Sequence, residues 1–206
     1  RRLGMEVPWR KGRDVSWDEL ISQDGAKTPP LPMDPNDPFL IIYTSGTTGK
    51  PKGTVHYHGG LPFKSAQDAA HLFDLREGET LFWVTDMGWV MGPIIISAAF
   101  TLGATLVIYE GAPNYPSWNR FFEIVERHGV THLGASPTLV RKLKSHADRP
   151  SADLSSLRVL ISTGEAWDSD SYLWFFEEFG QRRLPIINYS GGTEISGGIL
   201  GNVVYR

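Results

Sequence analysis

Apolar residues fall in short blocks whose spacing switches between two periods along the chain. Phe39-Leu40-Ile41-Ile42-Tyr43 is a continuous apolar run that ends in a glycine and threonine cluster, the pattern of a strand buried on both faces. A second strand is expected over Thr54 to Tyr57. Beyond it the spacing predicts a helix near Pro62 to Phe73, a strand over Thr80 to Val84, a helix near Pro93 to Leu102 and a strand over Ala104 to Tyr109. Pro116 and Ser117 then open a helix in which Trp118, Phe121, Phe122, Ile124 and Val125 fall on one face, and Gly129 stops it. A strand over Val130 to Ala135, an amphipathic helix over Pro137 to Ser145 and a strand over Leu157 to Ser162 follow. A helix near Ser169 to Phe179, a strand over Leu184 to Tyr189 and a glycine-rich strand or hairpin to Tyr205 complete the series. Strand and helix in alternation predict an α/β fold, a mostly parallel sheet covered by helices.

This pattern occupies residues 39–206, the expected α/β portion. Residues 1–38 read as a polar segment followed by a connector. Ser16-Trp17-Asp18-Glu19 has the spacing of a capping box before Leu20 and Ile21, and five prolines between Thr28 and Pro38 make an extended linker. From Met87 to Tyr109 no charged residue occurs, long enough to span a bilayer. Gly88, Gly92, Pro93 and Gly103 interrupt that run and no basic residues flank it, so a buried helix followed by a buried strand is the expectation, with no membrane insertion.

Composition narrows the function classes. Twenty Lys and Arg against 23 Asp and Glu give a formal charge of −3, which argues against nucleic acid or an anionic membrane as a partner. Zero cysteines exclude a disulfide scaffold, a thiolate zinc site and a cysteine nucleophile, and a reducing cytoplasmic setting is the expected localisation. An anion must then be held by local groups.

The densest candidate is Tyr43-Thr44-Ser45-Gly46-Thr47-Thr48-Gly49-Lys50-Pro51-Lys52-Gly53, directly after a predicted strand. Its glycines admit an anion close to the backbone amides, its hydroxyls donate, and its two lysines supply charge, so the segment is chemically a phosphate cradle. It is not a Walker loop, because only Thr47 and Thr48 separate Gly46 from Gly49-Lys50 and Pro51 follows the lysine. Pro51 also disfavours a helix starting at Lys50, which leaves a flap over phosphates as the reading.

With these residues the chain resembles the AMP-forming acyl-CoA synthetases of the adenylate-forming ligases, in which the Tyr43 to Gly53 motif is diagnostic. The resemblance continues through Asp86 to Gly92, Glu110 to Pro116, Ser162 to Ala166 and Tyr189 to Glu194, in the order and spacing of the acetyl-CoA synthetase branch. It implies that Thr44, Ser45, Gly46, Thr47, Thr48, Gly49, Lys50 and Lys52 grip the β- and γ-phosphates of ATP. It implies further that Thr193 contacts the α-phosphate and Glu194 carries Mg²⁺. Gly164, Glu165 and Ala166 would lie along the adenosine, Asn188 would meet the adenine amino group, and Tyr189 is the aromatic nearest to Ser190, where relatives stack a ring on adenine.

The acid would sit near Trp89, Val90 and Met91. Acetate users close their pocket with a second tryptophan where this chain has Gly191, so a longer pocket and an acid larger than acetate are expected. The implied activity joins a small or medium carboxylic acid to coenzyme A through an acyl-adenylate, with ATP and Mg²⁺. Alternatives are an adenylation domain serving a carrier-protein thiol, or a nucleotide-binding module without turnover. By the same resemblance the chain is an internal piece of a large domain, its mobile C-terminal domain and some packed faces missing, so that exposed faces can pair between copies. His56 and His58, two apart on a strand, suggest a metal pair, but with no third clustered ligand a structural role is the stronger reading.

Overall fold

The computed structural model describes residues 6–22, 29–44, 49–146 and 152–204. They fall into two compact units divided between Met33 and Asp34. In the first, a single short helix, α1 (Trp17–Ser22), follows Ser16, whose carbonyl accepts from the Leu20 amide at 2.9 Å; none of the helix's residues is buried.

The second unit begins with β1 (Pro38–Thr44) and β2 (Lys52–Tyr57), an antiparallel hairpin in which Leu40 faces His56, Ile42 faces Thr54 and Thr44 faces Lys52. After it come α2 (Leu61–His71), β3 (Thr80–Trp83), α3 (Met91–Thr101), β4 (Thr105–Val107), α4 (Arg120–His128), β5 (His132–Gly134), α5 (Pro137–His146), β6 (Val159–Ser162), α6 (Ser169–Glu178), β7 (Ile186–Gly192) and β8 (Gly197–Gly201). A short 3-10 turn, Thr193–Ile195, joins β7 to β8. Six strands form one sheet in the order β4-β3-β5-β6-β7-β8, parallel except for the final antiparallel pair. The α/β architecture and nearly all expected elements are present.

Side-chain alternation along these strands builds two cores. Phe82, Leu133, Leu160 and Ile186 point to one face and pack against Phe121, Phe122 and Val125 of α4, Val140 and Leu143 of α5 and Phe175 of α6. Leu81, Trp83, Val159, Ile161, Ile187 and Tyr189 point to the other, against Ala69 of α2 and Ile94, Ile95, Ala98 and Ala99 of α3. Strands covered on both faces read as continuous apolar blocks, as these do. The uncharged run from Met87 resolves into α3 and β4, and among the described residues no helix is long and apolar enough to cross a membrane. Gly129 ends α4 in the left-handed conformation, φ +55°, where a β-carbon would be strained.

β1 departs from expectation. It lies outside the six-stranded sheet and buries one face only: Ile42 is 8% exposed, while Ile41 and Tyr43 are 57% and 68% exposed. The apolar run is continuous, but an antiparallel hairpin needs cover on just one side, and nothing in the described residues covers the other.

Within the sheet, His132 is wholly buried. Its Nε2 lies 3.0 Å from the Phe73 carbonyl oxygen, which can only accept, so Nε2 carries the proton; Nδ1 lies 2.8 Å from the Thr131 hydroxyl oxygen, which itself donates to the Thr80 carbonyl at 3.0 Å. Burial pushes this imidazole down to about 4, against the opposing pull of the Phe73 carbonyl and Asp74. The unfolded chain takes up the proton near pH 6.5 and the folded chain near 4, so stability is lost as pH falls through that window and is insensitive to this group above it. Urea unfolding should show a loss of about 2 kcal/mol between pH 7 and pH 5 that shrinks in His132→Gln. An equal pH slope in both proteins would remove the assignment.

Candidate functional site

The parallel strands β3, β5, β6 and β7 all present their carboxyl ends at one edge of the sheet. β3 feeds β4 on one side while β5 feeds β6 on the other, so the loops after β3 and β5 diverge and open a crevice, the place where open α/β sheets bind ligands. A cleft of about 790 Å³ occupies this position.

Three loops build it. After β3, the Asp86 carboxylate accepts from the Gly88 amide at 2.7 Å and its carbonyl from the Trp89 amide at 3.1 Å, a tight turn that throws Trp89 outward at the cleft wall, 72% exposed. Val90 and Met91 follow on the same wall, Met91 buried at the start of α3. Gly92 permits the turn, since a β-carbon there would lie 2.8 Å from the Met87 α-carbon.

After β6, Gly164 turns with φ +102° and Glu165 follows. The Glu165 carboxylate accepts from the Thr138 amide at 2.9 Å and from Arg141 at 2.6 Å, and Asp168 caps α6 through the Ser171 amide at 2.8 Å while also meeting Arg141 at 3.3 Å. Hydrogen bonds from Thr138 and Arg141 hold Glu165 below its usual range, and the Ser171 cap with Arg141 holds Asp168 at about 2. The Glu165 side chain is thus committed to tying this loop to α5. Gly164 and Glu165 line the cleft, with exposed Ala166 next in sequence but not among the lining residues.

At the end of β7, Gly191 and Gly192 line the cleft together with Thr193, the first residue of the 3-10 turn, and exposed Glu194 follows in that turn. Glu194 accepts no hydrogen bond from the described residues, so its carboxylate is free for a ligand. Asn188 is exposed beside the lining, its amide held by Asn202 at 2.6 Å, and the structure does not bring it into the cleft.

Two expectations are corrected here. Tyr189 borders the cleft, yet it is 3% exposed, packs edge-on to Phe73 and donates its hydroxyl to Asp68 at 2.7 Å, so its ring is a core element and not an open platform for adenine. Strand alternation decides this, since Tyr189 shares the inward face with Ile187. Gly191 does not leave free pocket length: a β-carbon there would overlap the Gly197 carbonyl, because the backbone of β8 fills that space.

The hairpin residues stand apart from the cleft lining. Thr44 ends β1, Gly49 takes φ +84°, and Lys50 and Lys52 are exposed; Ser45, Gly46, Thr47 and Thr48 lie outside the described residues. His56 is buried, and burial pushes its imidazole below the usual range against the pull of Glu194. His58 lies beyond the strand with its ring 5.0 Å from Phe39, and among the described residues no three His, Asp or Glu side chains form a metal cluster. Sequence reasoning passed over Ser136, Thr138, Arg141 and Lys142. Pro137 opens α5 directly after a buried strand and so places its N-terminal half at this edge, where Ser136, Thr138 and Lys142 line the cleft and Arg141 braces Glu165.

The sequence profile of the AMP-binding enzymes matches residues 4–205. The chain belongs to this AMP-binding enzyme family. It is 42% identical over 203 residues to the acetyl-coenzyme A synthetase of Syntrophus aciditrophicus, and 42% identical over 198 residues to that of Streptomyces avermitilis. These alignments cover 97% and 94% of this chain but 31% and 30% of the relatives, so the chain spans about a third of their length. Among solved structures, the acetoacetyl-CoA synthetase from Streptomyces lividans superimposes with a TM-score of 0.85 at 30% identity, covering 98% of this chain and 31% of that one. In this member of the AMP-binding enzyme family, then, the cleft is bounded by a β7–β8 hairpin in which a β-carbon at Gly191, Gly197 or Gly198 would overlap its neighbours. Gly191→Ala should lower stability to urea by about 1–3 kcal/mol through overpacking against Gly197. Unchanged stability would mean that β8 does not lie this close to Gly191.

Proposed function

We propose that this chain is the ATP- and acid-binding part of an AMP-forming acid–thiol ligase, which activates a small or medium carboxylic acid as its acyl-adenylate and passes the acyl group to coenzyme A. The observation that carries this reading is the meeting of three segments in one cleft at the ligand edge: the Trp89 to Met91 turn, the Gly164 loop and Thr193 with Glu194 beside it. The acetyl-CoA synthetase relatives supply the reaction class.

In this reading the carboxylate oxygen attacks the α-phosphorus in line and pyrophosphate leaves. No nucleophile of the protein is needed, only positioning and electrostatic stabilisation. The Gly164 to Ala166 backbone runs along the nucleoside, Thr193 donates to the α-phosphate, and Trp89, Val90 and Met91 wall the acid. Residues Thr44 to Lys52 neutralise the departing phosphates. The exposed, unclaimed Glu194 carboxylate suits Mg²⁺, which takes one or two carboxylates and shares the rest of its shell with phosphates and water. Bound there, the ion would offset charge on the leaving pyrophosphate.

Titration calorimetry on the chain with ATP in magnesium chloride tests the reading. Glu194→Gln should weaken binding about tenfold, the loss of one charged contact. Lys52→Ala should weaken ATP more than AMP, because AMP lacks the phosphates assigned to Lys52. Unchanged affinity in both variants would remove these roles. Pyrophosphate exchange then separates two readings: exchange supports the ligase half-reaction, whereas retained ATP binding without exchange favours a nucleotide-binding module.

A further inference from the structure

Beyond its partner β1, β2 packs chiefly against the 3-10 turn Thr193–Ile195. His56 makes that junction. It is 4% exposed, between Val55 and Tyr57, which are 41% and 49% exposed. Its Nδ1 is hydrogen-bonded to the Ser196 hydroxyl, and its Nε2 is buried with no hydrogen-bond partner among the described residues. Ser196, itself buried, sits in the left-handed region at φ +59°, and its amide donates back to the Thr193 carbonyl at 3.4 Å.

A histidine is a costly filler here, because an apolar side chain would bury no unpaired nitrogen. What it contributes is one directed bond across two segments that are far apart in sequence. One is the hairpin strand that begins at Lys52; the other is the turn that carries Thr193 and Glu194. Neither His56 nor Ser196 lines the cleft, so neither is placed to touch a ligand there.

We infer that His56 is a positioning residue: through Ser196 it fixes the Thr193–Glu194 turn against β2, keeping Lys52 and Glu194 in one register. The inference rests on the ATP-binding reading above and deepens it. Positioning of this kind matters because displacements near 1 Å in a phosphoryl-transfer site remove much of its advantage.

The test compares His56→Ala, Ser196→Ala, the double variant and His56→Asn by calorimetry with ATP in magnesium chloride and, separately, with AMP, each protein first checked by thermal melting. An asparagine amide overlies the Nδ1 edge of the imidazole and can still reach Ser196. Each alanine variant should weaken ATP about tenfold and AMP, which keeps the α-phosphate assigned to Thr193 but lacks the phosphates assigned to the hairpin, by no more than about threefold, and the double variant should be no worse than either single one. His56→Asn should recover to within about threefold of the parent. If His56→Ala does not fold, Ser196→Ala carries the same expectation. Folded variants with unchanged ATP affinity, with equal losses for ATP and AMP, or with additive losses would overturn the inference while leaving ATP binding intact. A parent chain that does not bind ATP would overturn the functional reading and this inference with it.

Discussion

One buried carboxylate holds the ligand edge together. Asp68 of α2 is 5% exposed, and it accepts from the Tyr189 hydroxyl at 2.7 Å and the Gly198 amide at 2.9 Å while pairing with Lys64 one turn earlier. A buried charge persists only when its lone pairs are filled, and here they are filled by the two strands of the β7–β8 hairpin and by its own helix. Burial, with Asp68 beside it, raises the Tyr189 phenol above its usual range, so that side chain stays a neutral donor. The helix layer and the final hairpin are thereby fixed to each other, and with them the turn that presents Thr193 and Glu194.

This constraint explains the glycines. A β-carbon at Gly197 would meet Asp68 and Lys64, and one at Gly198 would overlap the Tyr189 ring. The segment is glycine-rich because β8 must lie close enough for its amide to reach a buried carboxylate. The same division of labour recurs around the cleft. Glu165 and Asp168 spend their carboxylates on Thr138, Arg141 and Ser171, which fixes the loop and leaves its backbone to the cleft. Side chains that look like ligand contacts in sequence are often the struts, whereas Thr193, Glu194, Lys50 and Lys52 make no side-chain hydrogen bond with other described residues.

The layered fold was legible because its strands are buried on both faces and its helices on one, and those two patterns differ in period. The ligand edge was legible too, since Trp89, Gly164 and Thr193 each follow a strand in a parallel sheet. What could not be read was direction and company. Phe39 to Tyr43 has the composition of an inner strand, yet it forms a hairpin with Ile41 and Tyr43 exposed, because an apolar run does not say which sheet receives it. Tyr189 stands one residue from an expected stacking position, but period-two alternation turns it into the core, and only the distant Asp68 shows what it does there. The space off Gly191 is likewise a property of β8, six residues on, and is invisible to a local reading.

The central claim is that the carboxyl edge of β3, β5, β6 and β7 is a nucleotide site. Amide chemical-shift mapping of the isotope-labelled chain during titration with AMP tests it most directly. The account predicts saturable shifts concentrated at Thr85 to Trp89, Thr163 to Ala166 and Gly191 to Thr193. Shifts confined to the separate groove between β4 and α4, around Arg120 and Arg127, or no saturable shifts at all, would contradict it.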